Sequence, residues 1–342
     1  MKVGILSGGV DAPGINAVIR AVVRRGIQHH GYEIVGIRDG WRGLLENEFL
    51  PLDLKAASGI LPRGGSILGT SRTNPFKHEK GGQKILKNAE KAGMEAVVVI
   101  GGEDTLGVAY KMSELGLKCV GVPKTIDNDL AGTDYTFGFR TAVAIATEAL
   151  DKLHTTAEAH HRIIILEVMG RYTGWIALEA GLAGGADVIL IPEKPFDIDE
   201  VCDYIKRRQE RGRNFSIVVV AEGSKPKGGA EIVYGETVDE FGHVRFGGVG
   251  YYIGKELEKK TGIETRVVVL GHLQRGGSPT AFDRILATRY GVAAIDLVNK
   301  GKFGRMVALK GNKIGSVLLK DIVGKRKTVD LELYNIASVF FG

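Results

Sequence analysis

The feature that most constrains this chain is a series of short, β-branched apolar runs separated by amphipathic stretches. KVGIL, AVVVI, CVGVP, RIIILEV, DVILIP, FSIVVVAEG and RVVVLGH are each about one strand long and carry little polar alternation. A strand that is apolar on both faces must be covered on both. That fits a parallel sheet between helices better than a half-exposed antiparallel one. Helical patterns fill the intervals, at 16–28, 105–115, 141–158, 198–211 and 281–300. The alternation predicts an α/β fold with parallel sheets and right-handed crossovers. So many strands within 342 residues predict two sheets and therefore two domains. Segment 223–248 is rich in glycine and polar residues and reads as a loop or irregular hairpin rather than a domain boundary.

Charge and cysteine content narrow the function classes. A net charge of +6 suits anionic ligands. The basic residues are scattered and form no arm or tract, so no nucleic-acid partner is expected. Cys119 and Cys202 make no metal spacing and no disulfide framework, which points to a reducing cytoplasm. The chain opens directly on the strand of MKVGILSGG, and no apolar run is long enough for a bilayer, so neither a secretory leader nor a membrane partner is expected.

The polar residues that could do chemistry gather where strands end, which is where open α/β sheets bind ligands. In SGGVDAPGINAVIR, Gly8 and Gly9 let backbone approach a ligand ahead of a helix N-terminus, although a glycine turn there is more often plain geometry. In GGEDT, Glu103 and Asp104 follow Gly101 and Gly102. Carboxylates there suit Mg²⁺ and suit helix N-capping equally. PKTIDNDLAGTD places Asp127, Asp129 and Asp134 in one polar loop after the strand CVGV, beside Lys124 and Thr125. Two carboxylates two residues apart can supply a general base and a metal-site acid. An Asx-rich turn is the plainer reading, but it leaves the lysine unexplained. Arg72 in GTSRTNP is a fork suited to phosphoryl oxygens, and taken alone it reads as a surface ion pair. His272 and Arg275 in LGHLQRGGSP are spaced to reach one anion together. Arg162 and Arg171 stand at the two ends of the strand in HHRIIILEVMGRYTG, Glu222 stands at a strand end in AEGSK, and His160 and His161 read as solvated helix-end residues.

Taken in order, GGVDAPGIN, GTSR, GGEDT, PKTIDND, HRIIILEVMGRYTGW, VVAEG and ETRVVVLGHLQRGGSP make the chain resemble the 6-phosphofructokinase family over nearly its whole length. The resemblance implies two Rossmann-like three-layer domains with mainly parallel sheets and the active site in the cleft between them. The phosphoryl-donor domain would comprise residues 1–138 plus about 251–301, and the sugar-phosphate domain 139–250 plus about 302–342. It implies Mg²⁺-dependent phosphoryl transfer to the 1-hydroxyl of fructose 6-phosphate. Asp127 would be the general base, with Thr125 toward the substrate, Asp129 and Glu103 at the metal, and Arg72 steadying the phosphoryl group. Gly9 would hold the donor by its backbone N–H. Arg162, Met169, Gly170, Arg171, Glu222, Arg266, His272 and Arg275 would grip the sugar phosphate. In the family the residues matching Arg162 and Arg266 reach in from a neighbouring subunit, which implies a homodimer or homotetramer. Some family members bind nucleotide effectors through an acid matching Asp187 and arginines near the first helix. Here Arg20, Arg24 and Arg25 read more simply as a solvated helix face. Val10 stands where the family has glycine, and Glu103 where it has aspartate.

Two positions bear on the donor. ATP-using members typically read GGDGS with PGTIDND, and the glycine after the metal acid leaves room for the α-phosphate. Here that position is Asp104, and Lys124 replaces the glycine before TIDND. Two like charges about 4 Å apart repel by ~1 kcal/mol in water and several times more in a drier site. Asp104 therefore opposes a nucleotide, while Lys124 offsets the charge of a short donor. At both positions the chain resembles the family's diphosphate-dependent branch. The expected donor is inorganic pyrophosphate, with ATP as the alternative and a non-catalytic sugar-phosphate-binding protein as the remote one.

Overall fold

A computed structural model describes residues 1–229, 233–238, 240–242 and 244–342. The strands are β1 (Lys2–Ser7), β2 (Glu33–Ile37), β3 (Phe49–Leu52), β4 (Ala96–Gly101), β5 (Cys119–Thr125), β6 (Phe137–Gly138), β7 (Ile163–Val168), β8 (Val188–Leu190), β9 (Ser216–Ala221), β10 (Val233–Val238), β11 (Val244–Phe246), β12 (Thr265–Val269), β13 (Arg305–Lys310) and β14 (Lys313–Leu318). The helices are α1 (Ile15–His30), α2 (Trp41–Glu46), α3 (Gly81–Lys91), α4 (Glu103–Glu114), α5 (Phe139–His160), α6 (Trp175–Ala183), α7 (Ile198–Glu210), α8 (Val249–Thr261), α9 (Ala281–Asn299) and α10 (Leu331–Ser338). Among the described residues no helix is long and apolar enough to cross a membrane.

The chain forms two compact units. Unit 1 is Met1–Arg140, Asp239–His243 and Arg275–Arg326, and unit 2 is Thr141–Val238, Val244–Gln274 and Lys327–Gly342. Unit 1 carries a sheet in the order β14-β13-β5-β4-β1-β2-β3, with β6 also pairing to β5. Its middle strands run parallel, and β3 and β14 are antiparallel at the edges. Unit 2 carries an all-parallel sheet, β12-β7-β9-β8.

The strand composition explains the layering. In β4, Val98 and Ile100 pack with Val18, Ile19 and Ile295 of α1 and α9. The alternate residues Val97 and Val99 pack with Ile85, Leu106 and Met112 of α3 and α4. Each side chain that leaves water this way contributes roughly 1.5–3 kcal/mol. In unit 2, Ile163, Ile165, Val218 and Val220 pack against Val201 and Ile205 of α7 and Ile253 and Leu257 of α8. The expected α/β fold with mainly parallel sheets is the observed one.

Two domain boundaries differ from the expected ones. Residues 251–274 belong to unit 2, because β12 pairs with β7. Residues 302–326 belong to unit 1, because β13 pairs with β5 and β14 with β13. Strands β2, β3, β13 and β14 carry Gly, Pro, Lys or Ser among their apolar residues, so their pattern is weak. They form because a pairing edge is already present. The segment expected as a loop or hairpin holds the antiparallel pair β10–β11, whose register is irregular. It also contains points where the chain passes between the units, at Val238 and Val244. Residues 230–232, 239 and 243 of that segment lie outside the described residues.

Parallel pairing aligns the strand ends that matter. β4 lies between β1 and β5, so the turns after Ser7, Gly101 and Thr125 emerge on one edge of unit 1. β7 lies between β12 and β9, so the turns after Val269, Val168 and Ala221 emerge on one edge of unit 2.

The approach of α9 to α1 depends on Gly291, where a Cβ would lie 2.7 Å from Ala21 Cβ and 2.7 Å from the Val18 carbonyl oxygen. Gly291→Val is expected to destabilise unit 1 by about 2 kcal/mol, since overpacking against backbone exceeds the small gain in helix propensity. Thermal and denaturant unfolding against the wild type will measure it.

Candidate active site

In unit 1 the site begins with the glycines after β1. The Gly8 N–H donates to the Ile100 carbonyl at 2.9 Å, and the Gly9 N–H donates to the Ser71 carbonyl at 2.8 Å. The Gly9 N–H, expected to face the donor, is here bonded within the protein. What Gly9 supplies is the absence of a side chain. Its φ is +80°, and a Cβ there would lie 3.4 Å from Thr105 Oγ1 and 3.5 Å from Lys124 Nζ. The loop carrying Arg72 is sewn to this turn. Thr70 Oγ1 donates to the Gly9 carbonyl at 2.6 Å, and Ser71 Oγ to the Asp39 carbonyl at 2.6 Å. Arg72 itself is exposed.

Glu103 and Asp104 are half-buried in the first turn of α4. The cap position is Gly102, and no side chain caps this helix. Both carboxylates stand in the first turn, where they favour the helix N-terminus as the capping reading expects. Thr105, just behind them, fills a slot between Gly8 and Gly101, where added Cβ atoms would meet its side chain at 2.8 and 2.3 Å.

Lys124 is not in a polar loop. β5 continues through Thr125, and Lys124 is a strand residue only 2% exposed. Its Nζ donates to the Val10 carbonyl. Burial, followed by repulsion from Arg275, pushes its ammonium down to about 7; the charges of Asp11 and Asp127 act the other way, and Arg72 adds a smaller repulsion. Asp11, missed in the sequence, is thus part of this charge group.

Past Thr125 the backbone turns sharply. The Asp127 N–H donates to Thr125 Oγ1 at 3.0 Å, and Asn128 has φ +53° and is 1% exposed. Asn128 Oδ1 accepts from the Thr136 N–H at 3.1 Å, and Thr136 Oγ1 donates to the Thr125 carbonyl at 2.7 Å. This frame holds Asp127 and Asp129 on either side of a fixed bend. The Asp129 carboxyl lies above its usual range because of burial, then the charges of Asp127 and Glu103, with Arg326 opposing. Asp134 does not join them. It accepts from the Gly311 N–H at 2.6 Å and serves the turn between β13 and β14.

Arg275, expected to touch the sugar phosphate from the donor domain, belongs to unit 1. Its Nη1 donates to the Asp11 carbonyl at 3.4 Å, and its buried Nε has no hydrogen-bond partner among the described residues. The chain passes from unit 2 to unit 1 between Gln274 and Arg275, so His272 and Arg275 fall in different units.

In unit 2 the turn after β7 carries Met169, Gly170 and Arg171. Gly170 has φ +144°, and a Cβ there would lie 2.3 Å from the Thr173 carbonyl oxygen. Glu222 follows β9, and its Oε1 accepts from the Arg171 N–H at 3.1 Å. The exposed His272 lies in the 3₁₀ turn Gly271–Arg275. Arg162 and Arg266 stand elsewhere. They sit at the start of β7 and β12 and share Glu264, with Arg162 Nε 2.5 Å from its carboxylate and Arg266 paired to the other oxygen. Glu264 was missed in the sequence; its carboxyl lies below the usual range because Arg162 hydrogen-bonds it. Asp187 and Arg25 are already paired. Asp187 takes an ion pair from Arg208 at 2.7 Å, and Arg25 lies 2.9 Å from Asp296.

The state of Lys124 gives a testable pH dependence. An anionic ligand held by the charged lysine would bind fully below about pH 7 and more weakly as pH rises, by at most about tenfold per unit. The expected result is a donor KM that climbs from pH 7 to 9 in the wild type. In Lys124→Met the KM should be high and its pH dependence should keep only the donor's own titration. Parallel steady-state kinetics check this.

With the geometry described, similarity to known proteins can be added. The profile of the phosphofructokinase family matches residues 2–298. A Streptomyces coelicolor protein named pyrophosphate--fructose 6-phosphate 1-phosphotransferase is 58% identical over 100% of both chains. A second protein from the same organism, named ATP-dependent 6-phosphofructokinase 3, is 53% identical over 96% of both. Among solved structures, the Pichia pastoris phosphofructokinase in the T-state superposes with a TM-score of 0.85 at 31% identity, covering 99% of this chain. The present chain spans only 36% of that longer one. The chain belongs to the phosphofructokinase family.

Proposed function

We propose that this chain transfers a phosphoryl group reversibly from inorganic pyrophosphate to the 1-hydroxyl of fructose 6-phosphate, yielding fructose 1,6-bisphosphate and phosphate. The observation that carries the choice of donor is the pair Asp104 and Lys124. A carboxylate in the first turn of α4 opposes a third phosphate, and a buried ammonium beside Gly9 compensates a short, dense anion. The 58% identical relative carries the pyrophosphate name, which supports this reading. ATP is the second reading, favoured by the 53% identical relative.

Asp127 acts as general base, accepting the proton of the sugar hydroxyl as it attacks. Thr125 Oγ1 fixes the Asp127 backbone at 3.0 Å. Arg72 and Lys124 neutralise charge on the transferring group and the leaving phosphate. Phosphoryl transfer needs positioning and charge compensation more than covalent chemistry. Glu103 and Asp129 would hold Mg²⁺. Burial and the charges of Asp127 and Glu103 hold the Asp129 carboxyl above its usual range, a cost that a cation would relieve. Among the described residues no group of three or more His, Cys, Asp or Glu is set to hold a metal. When bound, Mg²⁺ supplies charge neutralisation on the phosphoryl oxygens.

The sugar phosphate is received in unit 2 by Met169–Arg171, Glu222 and His272. Arg162 and Arg266 lie at the opposite end of β7 and β12 from the Met169 turn, about 20 Å along strands that rise ~3.3 Å per residue. In the same chain they do not reach that turn. They serve a second copy's site, so the enzyme works as a homodimer or homotetramer. A cytoplasmic setting suits the two buried free cysteines.

Initial rates with fructose 6-phosphate and Mg²⁺ test the proposal, with pyrophosphate and ATP as separate donors. The wild type is expected to use pyrophosphate only, and to run in reverse with phosphate and fructose 1,6-bisphosphate. Asp104→Gly is expected to gain ATP use or lose pyrophosphate use. Strong ATP activity in the wild type would overturn the donor assignment. Asp127→Ala should lower kcat by about 10²–10⁴-fold while fructose 6-phosphate still binds, and an unchanged kcat would refute the base.

A further inference from the structure

We infer that Gln274 is a positioning residue for the acceptor sugar, acting through the Met169–Arg171 turn and the His272 turn. The inference rests on the acceptor site proposed above. Gln274 is fully buried, at 0% exposure. Its Oε1 accepts from the Met169 N–H at 3.2 Å, and its Nε2 donates to the Gly271 carbonyl at 3.0 Å. The two partners also decide the amide's orientation, because the flipped form would set NH₂ against N–H and oxygen against oxygen.

The turn it holds has an unfavourable backbone. Gly170 has φ +144° and Arg171 has φ +50°, which an ordinary residue seldom adopts. Such a conformation persists only when its surroundings over-determine it. Side-chain acceptors do that here at three N–H groups. Gln274 takes Met169, Glu222 takes Arg171 at 3.1 Å, and Glu193 takes Gly174 at 3.0 Å. Glu222 and Glu193 are carboxylates that accept only. Glu193 also accepts from the Val329 N–H at 3.0 Å; Gln274, which both accepts and donates, ties this turn to its own backbone segment. That segment, Gly271–Arg275, carries His272. One amide therefore sets the spacing between the Met169–Arg171 segment and the histidine. Glutamine is the residue whose length and mixed fork meet both demands.

The test uses the full-length enzyme and separates acceptor from donor. Gln274→Met keeps length and removes both hydrogen bonds. It is expected to raise the KM for fructose 6-phosphate at least tenfold and leave the KM for pyrophosphate within twofold. Gln274→Glu provides rescue. Its buried carboxyl, when protonated, accepts and donates as the amide does. Normalised to wild type at each pH, this variant should approach wild-type sugar affinity in acid and depart from it as pH rises. Arg171→Ala and His272→Ala serve as controls. If they leave the sugar KM unchanged, the acceptor assignment fails and this inference with it. If they raise it while Gln274→Met does not, or while Gln274→Met raises both KM values alike, the positioning role alone is overturned. Should Gln274→Met not fold, the pH profile of Gln274→Glu decides: a flat ratio to wild type overturns the inference.

Discussion

Strands apolar on both faces can be stable only between two layers of helix, and this requirement organises both units. It forces parallel pairing with crossovers, and parallel pairing delivers neighbouring strand ends to the same sheet edge. In unit 1 that places the turns after β1, β4 and β5 side by side. In unit 2 it does the same for β12, β7 and β9. The polar residues of each group are far apart in sequence and meet only because the cores beneath them are continuous.

The donor group runs counter to the usual placement of charge. A lysine ammonium sits almost fully inside a strand, flanked by Arg275 and Arg72 on one side of the electrostatic balance and by Asp11 and Asp127 on the other. Close by, burial and the charges of Asp127 and Glu103 hold the Asp129 carboxyl above its usual range. Burial makes the charged forms of Lys124 and Asp129 costlier than they would be in water. A short polyanion with its cation relieves both at once.

The acceptor group relies on hydrogen bonds rather than charge density. Its central turn has a left-handed backbone at Arg171, and buried or half-buried side chains hold its N–H groups. Arg162 and Arg266 are kept apart from it by the length of β7 and β12, and Glu264 holds them together at the far end.

The sequence by itself determined the fold class and most of the chemistry. Apolar runs such as AVVVI and IIILEV admit little but buried parallel strands, and the ordered motifs pointed to Asp127, Arg72, Lys124 and the acidic pair at Glu103 and Asp104. These properties are local, either in pattern or in residue type. What depends on pairing partners was decided only by the tertiary structure. β13 and β14 read weakly because Gly, Lys and Ser interrupt them, and their joining to β5 redrew the unit boundaries. Lys124 looked like a loop residue because proline precedes it, yet the sheet edge extends the strand through Thr125. The Gly9 N–H looked available until Ser71, 62 residues later, took it. Asp134 looked like a third acid of the site until β13 and β14 placed Gly311 against it. Gln274 and Glu264 carry no motif of their own, because a hydrogen bond between distant turns leaves no periodic trace in the chain.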